Sequence, residues 1–112
     1  MPILNPNYSN LNHDEMASAI GLKVKHIPML IGSFLEESEL IMNNLEEAIQ
    51  KKDFSQIKSH AHSIKGSAGN LKFDAIYEMA KEIELSAATE DNSFDYKTYF
   101  EAIKTAITTI PS

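Results

Sequence analysis

Apolar residues recur every three or four positions in four separate stretches of this chain, and no other property of the sequence restricts its fold so tightly. In the longest stretch, Ile27, Leu30, Ile31, Phe34, Leu35, Ile41, Met42, Leu45 and Ile49 line one face of a helix from about residue 26 to 51. Glu36, Glu37, Glu39, Glu46 and Glu47 fall mostly off that face. Pro28 belongs in the first turn or two, and Lys51 and Lys52 suit the C-terminus. Asp53 has the chemistry of an N-cap for the next stripe, made of Phe54, Ile57, Ala61, Ile64, Ala68 and Leu71. A third helix is expected over Phe73–Thr89, with Phe73, Ile76, Ala80, Ile83 and Ala87 inward. After the polar loop Glu90-Asp91-Asn92-Ser93, the last carries Tyr96, Tyr99, Phe100, Ile103, Ile107 and Ile110, and Pro111 closes it. No segment alternates as a strand would. The prediction is an all-α fold, an antiparallel four-helix bundle with a short additional N-terminal helix.

That additional helix is expected around Asp14–Ile20, with Asn12 or His13 near its start and Gly21 as its stop. Before it, residues 1–12 hold four asparagines and two prolines and should form an irregular arm, leaving 13–112 as the helical domain. The length suits one domain with a core of its own. There is no cysteine, which removes disulfides, thiolate nucleophiles and cysteine metal sites and fits the cytoplasm. No apolar run approaches the roughly 20 residues of a membrane span. The N-terminus also lacks the basic-then-apolar order of a signal peptide. A net charge of −6, from 16 acidic and 10 basic residues, argues against nucleic acid, whose binding depends on neutralising phosphates.

Chemistry concentrates in the run Ala61-His62-Ser63-Ile64-Lys65-Gly66-Ser67-Ala68-Gly69. At about 100° per residue, His62 falls roughly 140° from the centre of its helix's apolar stripe, which puts it in solvent. Lys58, Lys65, Gly66 and Gly69 share the outward side with it, and Ser55 and Ser59 complete the face. Two glycines inside a helix each cost about 1 kcal/mol relative to alanine. Close helix packing is one explanation for them; a surface cleared for a phosphate or another protein's backbone is the other, and the outward placement favours clearance. Exposed lysines are ordinary, yet in an acidic chain Lys58, Lys65 and Lys72 gather on or beside one face, and a phosphorylated imidazole would gain from such charges. Lys65, three residues on, is the nearest. His60 lies only about 60° from the core centre and is expected to be half-buried. About 200° separates it from His62, so the two cannot share a metal ion. His13 and His26 stand alone, and no metal site is expected.

The same run, extended to Asn70-Leu71, resembles the signature of histidine-containing phosphotransfer domains of multistep two-component phosphorelays. Gly21-Leu22 and Ile31-Gly32-Ser33-Phe34-Leu35-Glu36-Glu37 resemble the family's lead-in and long helix, and helix number and order agree. One departure is Lys72-Phe73, where many relatives have a glycine. The resemblance implies that His62 accepts the phosphoryl group, that Lys65 stabilises it, and that Gly66 clears space. A polar residue on the next helix often bonds the histidine's other ring nitrogen in this family. The matching position is Glu84, near Tyr77 on the wheel, although an ordinary solvated acid would also fit there.

What the resemblance further implies is a carrier rather than an enzyme: a monomer that takes a phosphoryl group from a receiver aspartate and hands it to another receiver. Its partners would be response-regulator receiver domains or a hybrid sensor histidine kinase, with neither nucleic acid nor membrane. No cofactor is expected on this chain, because Mg²⁺ would belong to the receiver. The docking surface is expected at Ser55, Lys58, Ser59, Gly66, Gly69 and the Ile20–Val24 region. Alternatives are a helical adaptor that binds receivers without phosphorylation, a metal-binding bundle, and a phosphoacceptor piece of a larger kinase. The opening Met1 and compact length favour a complete chain over the last.

Overall fold

The computed structural model describes residues 3–111. Met1 and Pro2 of the arm, and Ser112 at the end of the expected 13–112 domain, lie outside the described residues. All regular structure among them is helical: α1 His13–Ile20, a 3-10 turn Val24–His26, α2 Ile27–Gln50, α3 Phe54–Asn70, α4 Asp74–Ala88 and α5 Tyr96–Thr108. Packing runs from α2 to α3 to α4 to α5 and back to α2, with α3 and α4 the most extensively packed pair. The links 51–53 and 71–73 are so short that α2 with α3, and α3 with α4, must run antiparallel.

Most boundaries have a local cause. Asn12, Asp53 and Asp95 cap α1, α3 and α5, each side-chain oxygen accepting a backbone N–H three residues on, from Glu15, Gln56 and Thr98 at 3.0, 3.2 and 3.0 Å. Pro28 sits in the first turn of α2, where a missing N–H is harmless. Gly21 ends α1 at φ 81°, as its position after Ile20 suggested. The other left-handed positions carry side chains: Lys52, Lys72 and Glu90 follow α2, α3 and α4 at φ 54°, 63° and 54°. Each belongs to the same paired hydrogen-bond closure, exemplified by Lys72 N–H to Gly69 O at 3.1 Å and Phe73 N–H to Ala68 O at 3.0 Å. Lys72 thus adopts the conformation for which a glycine is better suited.

The core follows the stripes with local corrections. Ile27, Ile31, Phe34, Met42 and Leu45 are buried, but Leu30, Leu35, Ile41 and Ile49 sit at the margin. Ser38 fills the core position between Phe34 and Met42, and Ala48 the one after Leu45, because the buried line passes over them whatever their polarity. The Ser38 hydroxyl donates to Leu35 O at 3.1 Å, so its burial leaves no polar atom unpaired. Met16 and Ala17 are buried too, which joins α1 to the core.

The arm is irregular as expected, yet it is folded onto the bundle. Ile3, Leu4, Tyr8 and Leu11 pack against the core, and Tyr8 meets the buried ring of Phe73 at a centroid distance of 4.8 Å. Tyr8 N–H donates to Thr109 Oγ1 at 2.9 Å, tying the arm to the end of α5. The backbone N–H groups of Ala75 and Ile76 lie close enough to the Tyr8 phenol to lower its pKa, against the larger upward push of burial. Phe73 precedes α4 and has no side-chain oxygen to cap it. The Tyr8 phenol, far away in sequence, stands beside that uncapped turn.

Candidate functional site

His62 stands in the middle of α3, on the flank turned toward α4. Its outward placement follows from the buried line Ile57, Ala61, Ile64 and Ala68, which fixes how α3 rolls onto its neighbours. The His62 side chain is 68% exposed, whereas that of Glu84 on α4 is only 14% exposed. His62 Nδ1 and Glu84 Oε2 are 2.8 Å apart. A carboxylate is an acceptor, so Nδ1 is the ring nitrogen that carries the proton, and Nε2 keeps the lone pair of the neutral imidazole.

Glu84 has a second partner. Lys65 Nζ lies 2.6 Å from Glu84 Oε1, with 22% of the lysine side chain exposed. The two carboxylate oxygens are therefore divided between the imidazole and the ammonium. Burial pushes the Glu84 carboxyl upward, but hydrogen bonds from Lys65 and His62 outweigh it and hold it below the usual carboxylate range. The bond to Glu84 pushes the Lys65 ammonium upward against the opposing effect of desolvation. Both groups are charged at neutral pH, and the carboxylate is fixed at both ends.

The glycines separate. A Cβ on Gly66 would meet nothing within 4 Å, so the ground beside His62 is clear. A Cβ on Gly69 would lie 3.2 Å from Cδ2 of Tyr77. The wheel placed Gly69 on the free outward face; in the fold it is half-buried against an α4 ring, which corrects the expectation of a free docking position. Ser55, Lys58 and Ser59 are exposed as expected. On the other flank of α3, an apolar groove of about 340 Å³ includes Ile20, Leu22, Leu30, Phe34, Ser67 and Leu71. His60 is half-buried in a separate recess with Asn44, Glu47 and Gln56, away from His62. Among the described residues, no group of three or more His, Cys, Asp or Glu is placed to hold a metal ion.

Two features escaped the sequence reading. The Lys65–Glu84 pair requires knowing which α4 turn faces which α3 turn, and the Tyr77 ring on Gly69 requires the same register. A signal was present: Lys65 and Gly69 are four apart, and Tyr77 and Glu84 seven apart, so each pair shares a flank.

The sequence profile of the Hpt domain matches residues 29–110. The chain belongs to the Hpt domain family. Comparison with curated proteins and with solved structures gave no match. Hpt domains are helical bundles that carry phosphoryl groups on histidine in phosphorelays, as carriers rather than enzymes, and they work with response-regulator receivers and kinases. The matched span begins within α2 and takes in His62, Lys65, Gly66 and Glu84; the arm and α1 precede it. Among the described residues, no helix of this Hpt domain is long and apolar enough to cross a membrane.

Proposed function

We propose that this Hpt domain carries the phosphoryl group on Nε2 of His62, accepting it from a receiver's phospho-aspartate and passing it to another receiver. The observation that carries this reading is an exposed imidazole whose Nδ1 is held 2.8 Å from a largely buried carboxylate. Nε2 attacks phosphorus in line, the N–P bond forms, and the acyl-phosphate P–O bond breaks to release the aspartate carboxylate. The Nδ1 proton stays in its bond to Glu84, which stabilises the positive charge that the ring gains as Nε2 bonds to phosphorus. Reversal toward a second receiver uses the same atoms. Little more is needed, because phosphoryl transfer depends mainly on positioning and electrostatics.

In this reading Glu84 orients the ring, Gly66 leaves room for the phosphoryl oxygens and the receiver, and Lys65 contributes its charge to them. Ser55, Lys58, Ser59 and the apolar groove by Leu22 supply docking surface. The chain needs no cofactor of its own, and Mg²⁺ comes with the receiver. The protein acts as a monomer in the cytoplasm, on one phosphoryl group at a time.

Incubation with a ³²P-labelled receiver tests the reading. Acid-labile, alkali-stable label is expected on the wild type and absent from His62→Gln. Label retained in His62→Gln would sink the acceptor assignment. Undiminished receiver binding and signalling by that variant, with no label on either protein, would favour the adaptor.

A further inference from the structure

The sequence reading places Gly69 among docking residues, but its Cα faces a neighbouring helix of its own bundle. The ideal Cβ position at Gly69 lies 3.2 Å from Cδ2 and 3.5 Å from Cε2 of Tyr77, the first of them tight enough that a side chain there asks the ring to give by a few tenths of an ångström. Gly66, three residues earlier, has open space at the same test. The two glycines therefore do different things. Gly69 lies one α3 turn beyond Lys65, and Tyr77 lies two α4 turns before Glu84. Tyr77 is also close enough to Lys65 to add, after Glu84, to the upward push on its ammonium.

From this juxtaposition we infer that Gly69 is a positioning residue, setting the α3–α4 approach at which Glu84 reaches His62 and Lys65 together. The inference rests on the proposed role of Glu84 and adds what holds that carboxylate in range. A methyl at Gly69 requires the half-buried Tyr77 ring to give by a few tenths of an ångström and a larger side chain requires more, and what the ring does not absorb by turning is passed to α4. Glu84, about 10 Å along the same helix flank, is displaced from bonds of 2.8 Å and 2.6 Å that tolerate little lengthening. The imidazole then loses its fixed tautomer. A docking role for Gly69 makes no such demand, since its effect would be confined to receiver affinity.

The full chain is compared as wild type, Gly69→Ala and Gly69→Leu, and each variant again with Tyr77→Leu. Long-range ¹H–¹⁵N spectra of the unphosphorylated protein report the His62 tautomer, and circular dichroism reports folding. Phosphorylation by phosphoramidate, which exchanges its P–N bond to ammonia for one to the imidazole, gives a rate without any receiver. The expected result is a single Nδ1–H tautomer in wild type, a small displacement of its resonances in Gly69→Ala, and mixed tautomers in Gly69→Leu. Uptake should slow in the same order, by about tenfold to a hundredfold for leucine. Tyr77→Leu should move both readouts back toward wild type. Should Gly69→Leu fail to fold, the alanine pair decides by the same criterion. Unchanged His62 resonances in a folded Gly69 variant, or no recovery with Tyr77→Leu, overturn the inference. The tautomer is read without phosphate. Label on His62→Gln would therefore sink the acceptor assignment while leaving the positioning result standing.

Discussion

Replacing Tyr8 with phenylalanine removes one oxygen from the protein and isolates what the N-terminal arm does for α4. The ring contact with Phe73, at 4.8 Å between centroids, is retained. What disappears is the phenol oxygen beside the N–H groups of Ala75 and Ile76, at a helix start whose own preceding residue cannot cap. Loss of a helix cap costs about 0.5–2 kcal/mol, and partial burial puts this case near the middle, at about 1 kcal/mol. For a chain of this length the midpoint of thermal unfolding should fall by about 4–6 °C. Urea unfolding should show a lower midpoint at unchanged slope. Tyr8→Ala also loses ring burial, and should cost about 2 kcal/mol more. The pH dependence has a definite sign. Burial raises the Tyr8 phenol above its ordinary value, against the lowering effect of the two nearby N–H groups, so its contribution is complete below about pH 10. It is lost as pH rises through the folded-state value, and the gap between wild type and Tyr8→Phe should narrow there. Tyr96 and Tyr99 are also raised by burial, but they are common to both proteins and cancel in the difference. Equal midpoints at pH 7 would refute the capping argument, and a gap that stays constant through pH 11 would refute the raised phenol.

Glu84→Gln should remove the ion pair to Lys65 and cost about 1–2 kcal/mol in urea unfolding at pH 7. Because the Glu84 carboxyl is depressed, its contribution exists above the ordinary carboxylate range and disappears as pH falls through its lowered value. Wild type and variant should therefore converge in acid, and a gap that persists at pH 2 would contradict the pairing. Lys72→Gly should stabilise the protein by about 1 kcal/mol, since φ 63° strains a lysine more than a glycine; a lower unfolding midpoint would reject that account. Gly66→Ala should raise helix stability by about 0.5–1 kcal/mol, because the new methyl meets open space. Gly66→Gln should slow transfer from a receiver, and full-speed transfer would show that the glycine clears nothing.

Helix positions were legible because their causes are local. Asp53 and Gly21 mark helix ends with side-chain or backbone chemistry that needs no knowledge of the rest of the fold. The exposure of His62 and half-burial of His60 followed from one wheel, since the apolar stripe of α3 fixes its inward direction. The Lys65–Glu84 pairing and the position of Gly69 did not follow, because both depend on the register between two helices. A residue on the flank of one wheel can face water or a large ring, and here Tyr77 decides the matter for Gly69. Tyr8 was still less accessible: its partners lie 67 and 68 residues away, at Ala75 and Ile76. The burial of Ser38 was hidden by its polarity, which a single bond to Leu35 O accommodates.

The bond from Tyr8 N–H to Thr109 Oγ1 bears on how the chain closes as well as on how α4 starts. It brings the arm at Tyr8 and the end of the last helix to the same end of the bundle, where α4 starts and α5 finishes. The α2–α3 and α4–α5 links lie at the opposite end. Tethers attached at Tyr8 and at Thr109 would thus set out from nearly the same place, about 14 Å along α3 from His62. Two partners tethered at opposite termini would compete for one volume, at effective concentrations set mainly by tether length. A short linker could also join the ends and allow the chain to be opened at 89–95, giving a circular permutant with the phosphotransfer face untouched.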